Sequence, residues 1–498
     1  MKQEMYSTLN RPSTPILLND RHLGLNHTLV RKVFKVSNLE DLQRTIEWAA
    51  YNDCPISVAG GKFAMGGQQF GTDTLFLDTS HLNQILNFDQ ESGHIEIEAG
   101  IRWDTLIPQY LKLQDGRTQQ WGIAQKQTGA DLFSLGGALS VNIHGGGLRM
   151  SPFIQDIESF RIVDSYGCVR TCSRTQHTDL FRLAIGGFGL FGLLYSITLR
   201  LRPRNKLKRL VELVDVDALI PTLEHHIQDG CQYGDFQFAI DPASPDFLQN
   251  GILTIYRPVD PATPIPPQQP NLSESDWRKL SYLAHTEKSK AFNTFVAHGL
   301  AMHRTIWWSD THQLSNYPCG YHHILDHKLR ARVSGSEIIT ELFLPRNELV
   351  AFLGEVKEDF RTHQVNLIYG TIRLTEPDRE SFLAWAGGHW ACIVFNLHLD
   401  HTEEGIYHTQ RACRRLIDFV KNRGGRFYLP YHKWATQEQL ETCYPQFPDF
   451  LRYKLAYDPE ERFQSDWYRH FTTMYRDQIP REEQSDVDFP KIFFSEAL

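Results

Sequence analysis

The sequence predicts an α+β protein. Stretches of helical period alternate with short β-branched stretches of period two, and three glycine clusters punctuate the first 200 residues. The third cluster contains Gly187-x-Gly189-x-x-Gly192, the spacing of a dinucleotide fingerprint. That fingerprint needs a helix after it, whereas Ser196–Arg202 alternates strictly and reads as a strand. A doubly wound dinucleotide fold therefore fails on context.

The elements follow in chain order. A first helix is expected near residues 38–50, where Ser37 and Glu40 have capping-box spacing and Leu39, Leu42 and Ile46 share one apolar face. A strand at Pro55–Ala59 runs into the first glycine loop, Gly60-Gly-Lys-Phe-Ala-Met-Gly-Gly-Gln68, and Thr74–Leu77 and His94–Ala99 read as further strands. The second cluster spans residues 135–147 and the third residues 185–193. Beyond Pro203 the character changes: Pro258–Pro270 is a proline-rich loop, Ser336–Pro345 a strand, and Arg346–Phe360 a helix with Leu349, Phe352, Leu353 and Val356 on one side. Ala391–Leu399 is another strand, and a helix through Arg414–Lys421 stops at Gly424 and Gly425. Two intertwined domains result. Residues 1–205 form the glycine-rich one, residues 206–424 depart from it, and residues 425–498 return.

Composition narrows the class. The 498 residues are 41% hydrophobic and 22% charged, with 51 Lys+Arg against 59 Asp+Glu for a net charge of −8. Such a chain folds without a metal or disulfide staple. Its mild acidity excludes general nucleic-acid binding, and the basic run Arg202, Arg204, Lys206, Lys208, Arg209 reads as a solvated border strand. No apolar run approaches the roughly 18 residues of a membrane span. The start lacks the apolar core of a signal peptide, the end (SEAL) is no retention address, and eight cysteines include no CxxC pair. A reduced, cytoplasmic protein is expected.

Paired glycines at 60–61, 66–67, 136–137 and 186–187 suggest backbone lying close against a flat or anionic ligand, since an ordinary turn needs one glycine at a time. On these loops the chain resembles the vanillyl-alcohol oxidase / p-cresol methylhydroxylase family of FAD-linked oxidoreductases. Gly60, Gly61, Lys62, Phe63, Ala64, Met65, Gly66, Gly67 and Gln68 stand where the family has its pyrophosphate loop. Gly136, Gly137, Ser140, Asn142, His144 and Gly145 resemble the second FAD segment, and Gly187, Gly189, Gly192 and Leu193 the third. The resemblance implies an FAD-binding domain of two subdomains in residues 1–205 and a substrate cap built on a mainly antiparallel sheet. It also places His144 beside the flavin, although a buried turn histidine accounts for that residue equally. The loop histidine that links covalently to flavin in many members is Phe63 here, so the implied FAD is non-covalent.

Within the family the chain is most similar to the sugar and polyol branch, the alditol and decaprenylphosphoryl-ribose oxidases. Matching strands carry Glu341, Arg373, Asn396 and His398, and alternation puts Asn396, His398 and Asp400 on one face. A flavin alcohol oxidation needs a base for the hydroxyl proton while hydride passes to N5, and gains from a cation beside the flavin carbonyl. The branch's lysine position is occupied by Tyr431, two residues before Lys433. Tyr431, His432 and Lys433 are all candidates for base or cation, with Tyr431 and Lys433 sharing a face by alternation. Tyr428 matches an upstream aromatic position, and Tyr457–Trp467 the segment that packs back on the FAD domain. The pairs His398–His401 and His322–His323 lack HExxH or CxxC context, so no metal site is expected. Trp307 and Trp308 read equally as a pocket wall or as core.

The implied function is hydride transfer from a hydroxyl-bearing carbon of a sugar, polyol or related metabolite to FAD, with the electron acceptor, oxygen or other, left open. Two alternatives stand beside it: a dehydrogenase or reductase of a less polar, sterol-like compound, and a flavin-binding partner protein without catalysis.

Overall fold

The computed structural model describes residues 14–315, 318 and 320–479. The readings of the leader and of the terminal SEAL, and Cys319, lie outside the described residues.

The first helix, α1 (Leu39–Tyr51), starts one residue later than its capping-box spacing suggests. Asn38 is the cap: its backbone is extended (φ −161°) and its side chain accepts from the Asp41 N–H, leaving Ser37 outside. Buried Leu42, Ile46 and Ala49 cover a parallel sheet of β1 (Lys32–Lys35), β2 (Ile56–Ala59) and β3 (Leu75–Asp78), with β3 central. Burying such an aliphatic side chain contributes about 1.5–3 kcal/mol.

A second, antiparallel sheet joins β4 (Ile85–Asp89), β5 (His94–Glu98), β6 (Ile157–Val163), β7 (Val169–Ser173) and β8 (Leu193–Arg200) in the order β7-β6-β8-β5-β4. The strand expected at Ser196 thus begins straight after Gly192. There φ is +142° and a Cβ would lie 2.7 Å from the Val163 carbonyl, so glycine alone lets β8 enter the sheet. The short helix α2 (Leu135–Ser140) sits in the second glycine cluster.

The third sheet has eight antiparallel strands: β9 (Lys206–Asp215), β10 (Tyr233–Phe238), β11 (Asn250–Pro258), β12 (Ile306–Trp308), β13 (Gly335–Pro345), β14 (Leu367–Thr375), β15 (Trp390–Asp400) and β16 (Arg426–Phe427). Their order is β12-β9-β11-β10-β14-β15-β13-β16. A helical pair, α3 (Glu274–Thr286) and α4 (Lys288–Ala301), follows β11, and α5 (Leu349–Thr362) and α6 (Glu403–Lys421) follow β13 and β15. Phe352 and Phe360 of α5 meet Phe395, so odd-numbered residues of β15 face the helical layer and even-numbered ones the opposite side.

Trp307 packs with Met150, Leu207, Tyr233 and Tyr256, which makes it core rather than pocket wall. Trp308 lies under the Arg204 guanidinium at 4.3 Å. The basic run is only partly solvated, since Arg204 is buried and paired with Asp310 at 2.8 Å. The returning segment pairs Phe463 with Ile56 of β2, and the Asp466 carboxylate accepts from the Thr72 N–H at 2.9 Å.

One buried acid sets a pH response of the fold. Burial pushes the Asp156 carboxyl up to about 6, against the pull of Arg202 and the bond from Gln125 Nε2. Between its unfolded value near 4 and that figure, the native state binds the extra proton, so stability falls as pH rises through this window. A shift of about two units corresponds to about 3 kcal/mol. Denaturant titrations from pH 4 to 6 are expected to show that slope and to lose it in Asp156→Asn; an unchanged slope contradicts the assignment.

Candidate active site

A cavity of about 550 Å³ runs from the first glycine loop to the even face of β15. Gly60 through Met65 and Gln68 line it, and Lys62 is anchored by Asp78 (2.8 Å) in a left-handed conformation (φ +66°). Phe63 stacks on Phe133 with centroids 4.9 Å apart. Gly66 and Gly67 do not line the cavity but fasten the loop: Gly66 N–H donates to Pro430 O at 3.0 Å, and Gly67 packs on Asn26. The loop is thereby tied to the segment carrying Tyr431.

A strap that sequence reasoning missed supports the loop from beneath. The Asp20 carboxylate accepts from the backbone of His22, Leu23 and Gly24, while Asn26 Nδ2 donates to both Asp20 and Met65 O. The signal was an aspartate four residues before a glycine, a turn pattern too common to single out.

From the second cluster, Gly136, Gly137, Ser140 and His144 line the cavity, and from the third Gly189, Gly192 and Leu193. Asn142, Gly145 and Gly187 stand behind it. Asn142 adopts φ +48° and spends its amide on Asp378, Ser381 and the Ile154 N–H; a Cβ on Gly145 or Gly187 would strike the carbonyl of Lys126 or Leu183.

On the sheet side, Glu341, Arg373, Asn396 and Thr371 line the cavity with Tyr428 and Tyr431. Glu341 is 2% exposed. Its Oε1 accepts from His144 Nε2 at 2.5 Å and from Cys392 Sγ at 2.8 Å. Burial would raise this carboxyl, but His144, Cys392 and Arg373 outweigh it and hold Glu341 below the ordinary value of a glutamate. Burial and Glu341 together push the Tyr428 and Tyr431 phenols and the Cys392 thiol well up, so all three keep their protons. Tyr428 commits its own to Val141 O at 2.7 Å. Asp235, Tyr369, Cys392 and Glu341 overcome the burial of Arg373 and keep it cationic.

Three expected residues fall elsewhere. His432 is buried between Phe427 and Trp434, and burial with Arg414 lowers it to about 4, so it is neutral and away from the lining. Lys433 neighbours His470 outside the cavity. His398 shares its face with Asn396 but lies beyond the cavity, against Glu337 and Asp400. The cations lining the space are Lys62, Lys126, Arg209 and Arg373. Lys126, which sequence reasoning passed over, is fully buried and paired with Asp131 at 2.6 Å.

The lining suits a large polar cofactor. Gln68 Oε1, Gln127 Oε1, Thr371 Oγ1 and Asn396 Oδ1 are buried without a protein partner, each a cost of about 1–3 kcal/mol that a ligand removes. A Cβ at Gly189 would meet nothing within 4 Å, and one at Gly137 only Ser134 Oγ at 3.2 Å, so backbone here borders open cavity.

A model of the FAD binding domain matches residues 30–173. The chain is 24% identical over 400 residues to an L-gulono-1,4-lactone dehydrogenase of Mycobacterium tuberculosis, covering 80% of this chain and 86% of the relative. It is 30% identical over 392 residues to cytokinin dehydrogenase 9 of Oryza sativa subsp. japonica, covering 74% and 71%. A D-arabinono-1,4-lactone oxidase of Debaryomyces hansenii matches at 24% over 201 residues, 38% of this chain and 35% of the relative. The protein is an FAD-dependent oxidoreductase. It belongs to the vanillyl-alcohol oxidase / p-cresol methylhydroxylase family, with the expected α+β fold. Among the described residues no helix is long and apolar enough to cross a membrane.

Proposed function

We propose that the enzyme oxidises a hydroxyl-bearing carbon of a sugar-derived or polyol-like substrate, with Glu341 receiving the hydroxyl proton. The carrying observation is Glu341 itself, a buried carboxylate kept ionised at the cavity wall beside His144 and the Arg373 guanidinium. Bound FAD supplies the hydride acceptor. In this reading the glycine loops of residues 1–205 hold FAD, residues 206–424 supply the substrate side, and the return from residue 425 brings in Tyr431. The Tyr431 phenol donates to a substrate oxygen, while Arg373 and Asn396 orient neighbouring hydroxyls. His432 and Lys433 take no part, and Tyr431 serves as donor rather than base. The sugar-lactone relatives support the substrate class.

A less polar substrate is the second reading, favoured by the outer wall of the cavity, where α3 and α4 contribute Trp277, Leu280, Phe292 and Phe295. Anaerobic addition of paired compounds, each hydroxylated head with and without an apolar tail, separates the two. Faster bleaching of the flavin by the tailless members supports the first reading, and faster bleaching by the tailed members the second. No bleaching by either contradicts both.

FAD is held here without a covalent bond, since Phe63 offers no nucleophile. Acid precipitation is expected to leave all flavin in the supernatant, and flavin in the washed pellet contradicts this.

A further inference from the structure

We propose that His285, Glu337 and His398 form a site for one divalent transition-metal ion of the zinc class, behind the cavity wall and separate from the chemistry at Glu341. The three residues come from different elements. Glu337 on β13 and His398 on β15 are directly paired across the sheet, and His285 reaches them from α3.

The donor atoms already have the spacing of a coordination sphere. Glu337 Oε1 lies 3.0 Å from His285 Nε2 and 3.4 Å from His398 Nδ1, and the two nitrogens are 3.4 Å apart. Ligands at zinc distances of about 2.0–2.1 Å on a tetrahedron are separated by roughly 3.3 Å. The outer atoms are oriented as a metal shell requires. His285 Nδ1 donates to Ser281 O at 2.8 Å, and His398 Nε2 faces Asp400 Oδ1 at 3.5 Å. The inner nitrogens of both rings converge on the Glu337 carboxylate, where a metal ion takes the place of the protons that otherwise bond them to it. Glu337 is aimed in turn by its other oxygen, which accepts from Tyr321 Oη at 2.6 Å and His322 Nδ1 at 2.9 Å. A cation there is held by three converging ligand atoms in a place where the His285 and Glu337 side chains are 5% and 1% exposed.

Two nitrogens and one oxygen leave a fourth position for water, and the donor set suits zinc over magnesium or calcium. The site lies outside the elements that carry the glycine loops. Because Leu280, Ser281 and Ala284 of α3 line the cavity, the ion would pin that wall to the sheet.

The test uses the full FAD-loaded chain, stripped with a chelator and titrated with Co²⁺. Absorption at wavelengths beyond the flavin bands is expected to grow to saturation at one equivalent per chain and to vanish when Zn²⁺ is added. Absence of such absorption in the wild-type protein, leaving only protonated histidines around Glu337, overturns the proposal without any variant. His285→Gln is expected to abolish the signal. Asp400→Asn, a change at a half-exposed side chain, is expected to weaken binding about tenfold. Co²⁺ binding unchanged in both variants, with flavin retained, places the ion elsewhere and overturns the assignment.

Discussion

Replacing Glu341 with glutamine lowers the rate of flavin reduction by substrate about 10²–10⁴-fold, the usual contribution of a positioned general base. The amide keeps the shape of the side chain, can still meet His144 and Cys392, and removes the proton acceptor. FAD content is expected to stay near that of the wild type, because Glu341 belongs to the sheet side of the cavity and not to the glycine loops. The pH profile carries the same signature. Glu341 is depressed in the folded protein by His144, Cys392 and Arg373, against the effect of burial. It therefore stays ionised, and its contribution to the rate intact, from neutrality down to a glutamate's ordinary value, and is lost below that. The stabilisation from the same pairing is present above the unfolded value and disappears as pH falls through the folded one. Stopped-flow bleaching measured across pH checks both points. A full wild-type rate in Glu341→Gln removes Glu341 from the chemistry.

Gly137→Leu is expected to empty the protein of FAD while leaving it folded. Most cradle glycines do not permit this separation. At Gly136 a Cβ would meet Ala99 O at 2.9 Å, and at Gly61 it would meet Leu132 O at 2.9 Å, so substitution there damages the fold along with the cofactor site. Gly137 lies within α2, its Cβ would approach nothing but Ser134 Oγ, and leucine is the better helix former by up to about 1 kcal/mol. The added side chain occupies cavity rather than protein. Purified Gly137→Leu is expected to show the wild-type circular-dichroism spectrum and at least tenfold weaker FAD binding on reconstitution. Wild-type affinity contradicts the placement of FAD along the second glycine cluster.

Where sequence reasoning succeeded, a local rule coincided with the tertiary outcome. The alternation after Gly192 was a strand because that segment is embedded in a five-stranded sheet. The periodicity of β15 put Asn396 and His398 on one face, as the structure has them, but only Asn396 lines the cavity. A face continues along a strand at about 3.3 Å per residue, and two residues carry His398 roughly 7 Å beyond Asn396, outside the lining. Lys433 failed for a different reason. Residues 429–433 form turns and bends, so period-two alternation does not apply, and Tyr431 points inward without Lys433 beside it. The union of Glu341 with His144 and Cys392 was not legible at all. It joins positions 197 and 51 residues apart; Glu341 and His144 were each expected near the site, but nothing local linked them to each other or to Cys392. The capping error at α1 was smaller: Ser37 and Asn38 are both good caps, and the backbone chose the one whose amide reaches Asp41.

Anaerobic titration of the purified flavoprotein with a panel of aldonolactones, sugars and polyols decides whether this cavity oxidises a hydroxyl-bearing carbon. The expected result is bleaching of the flavin by at least one member, at one reducing equivalent pair per bound FAD, and its loss in Glu341→Gln. A flavin that chemical reductants bleach, but that no hydroxylated member of the panel reduces, contradicts the account.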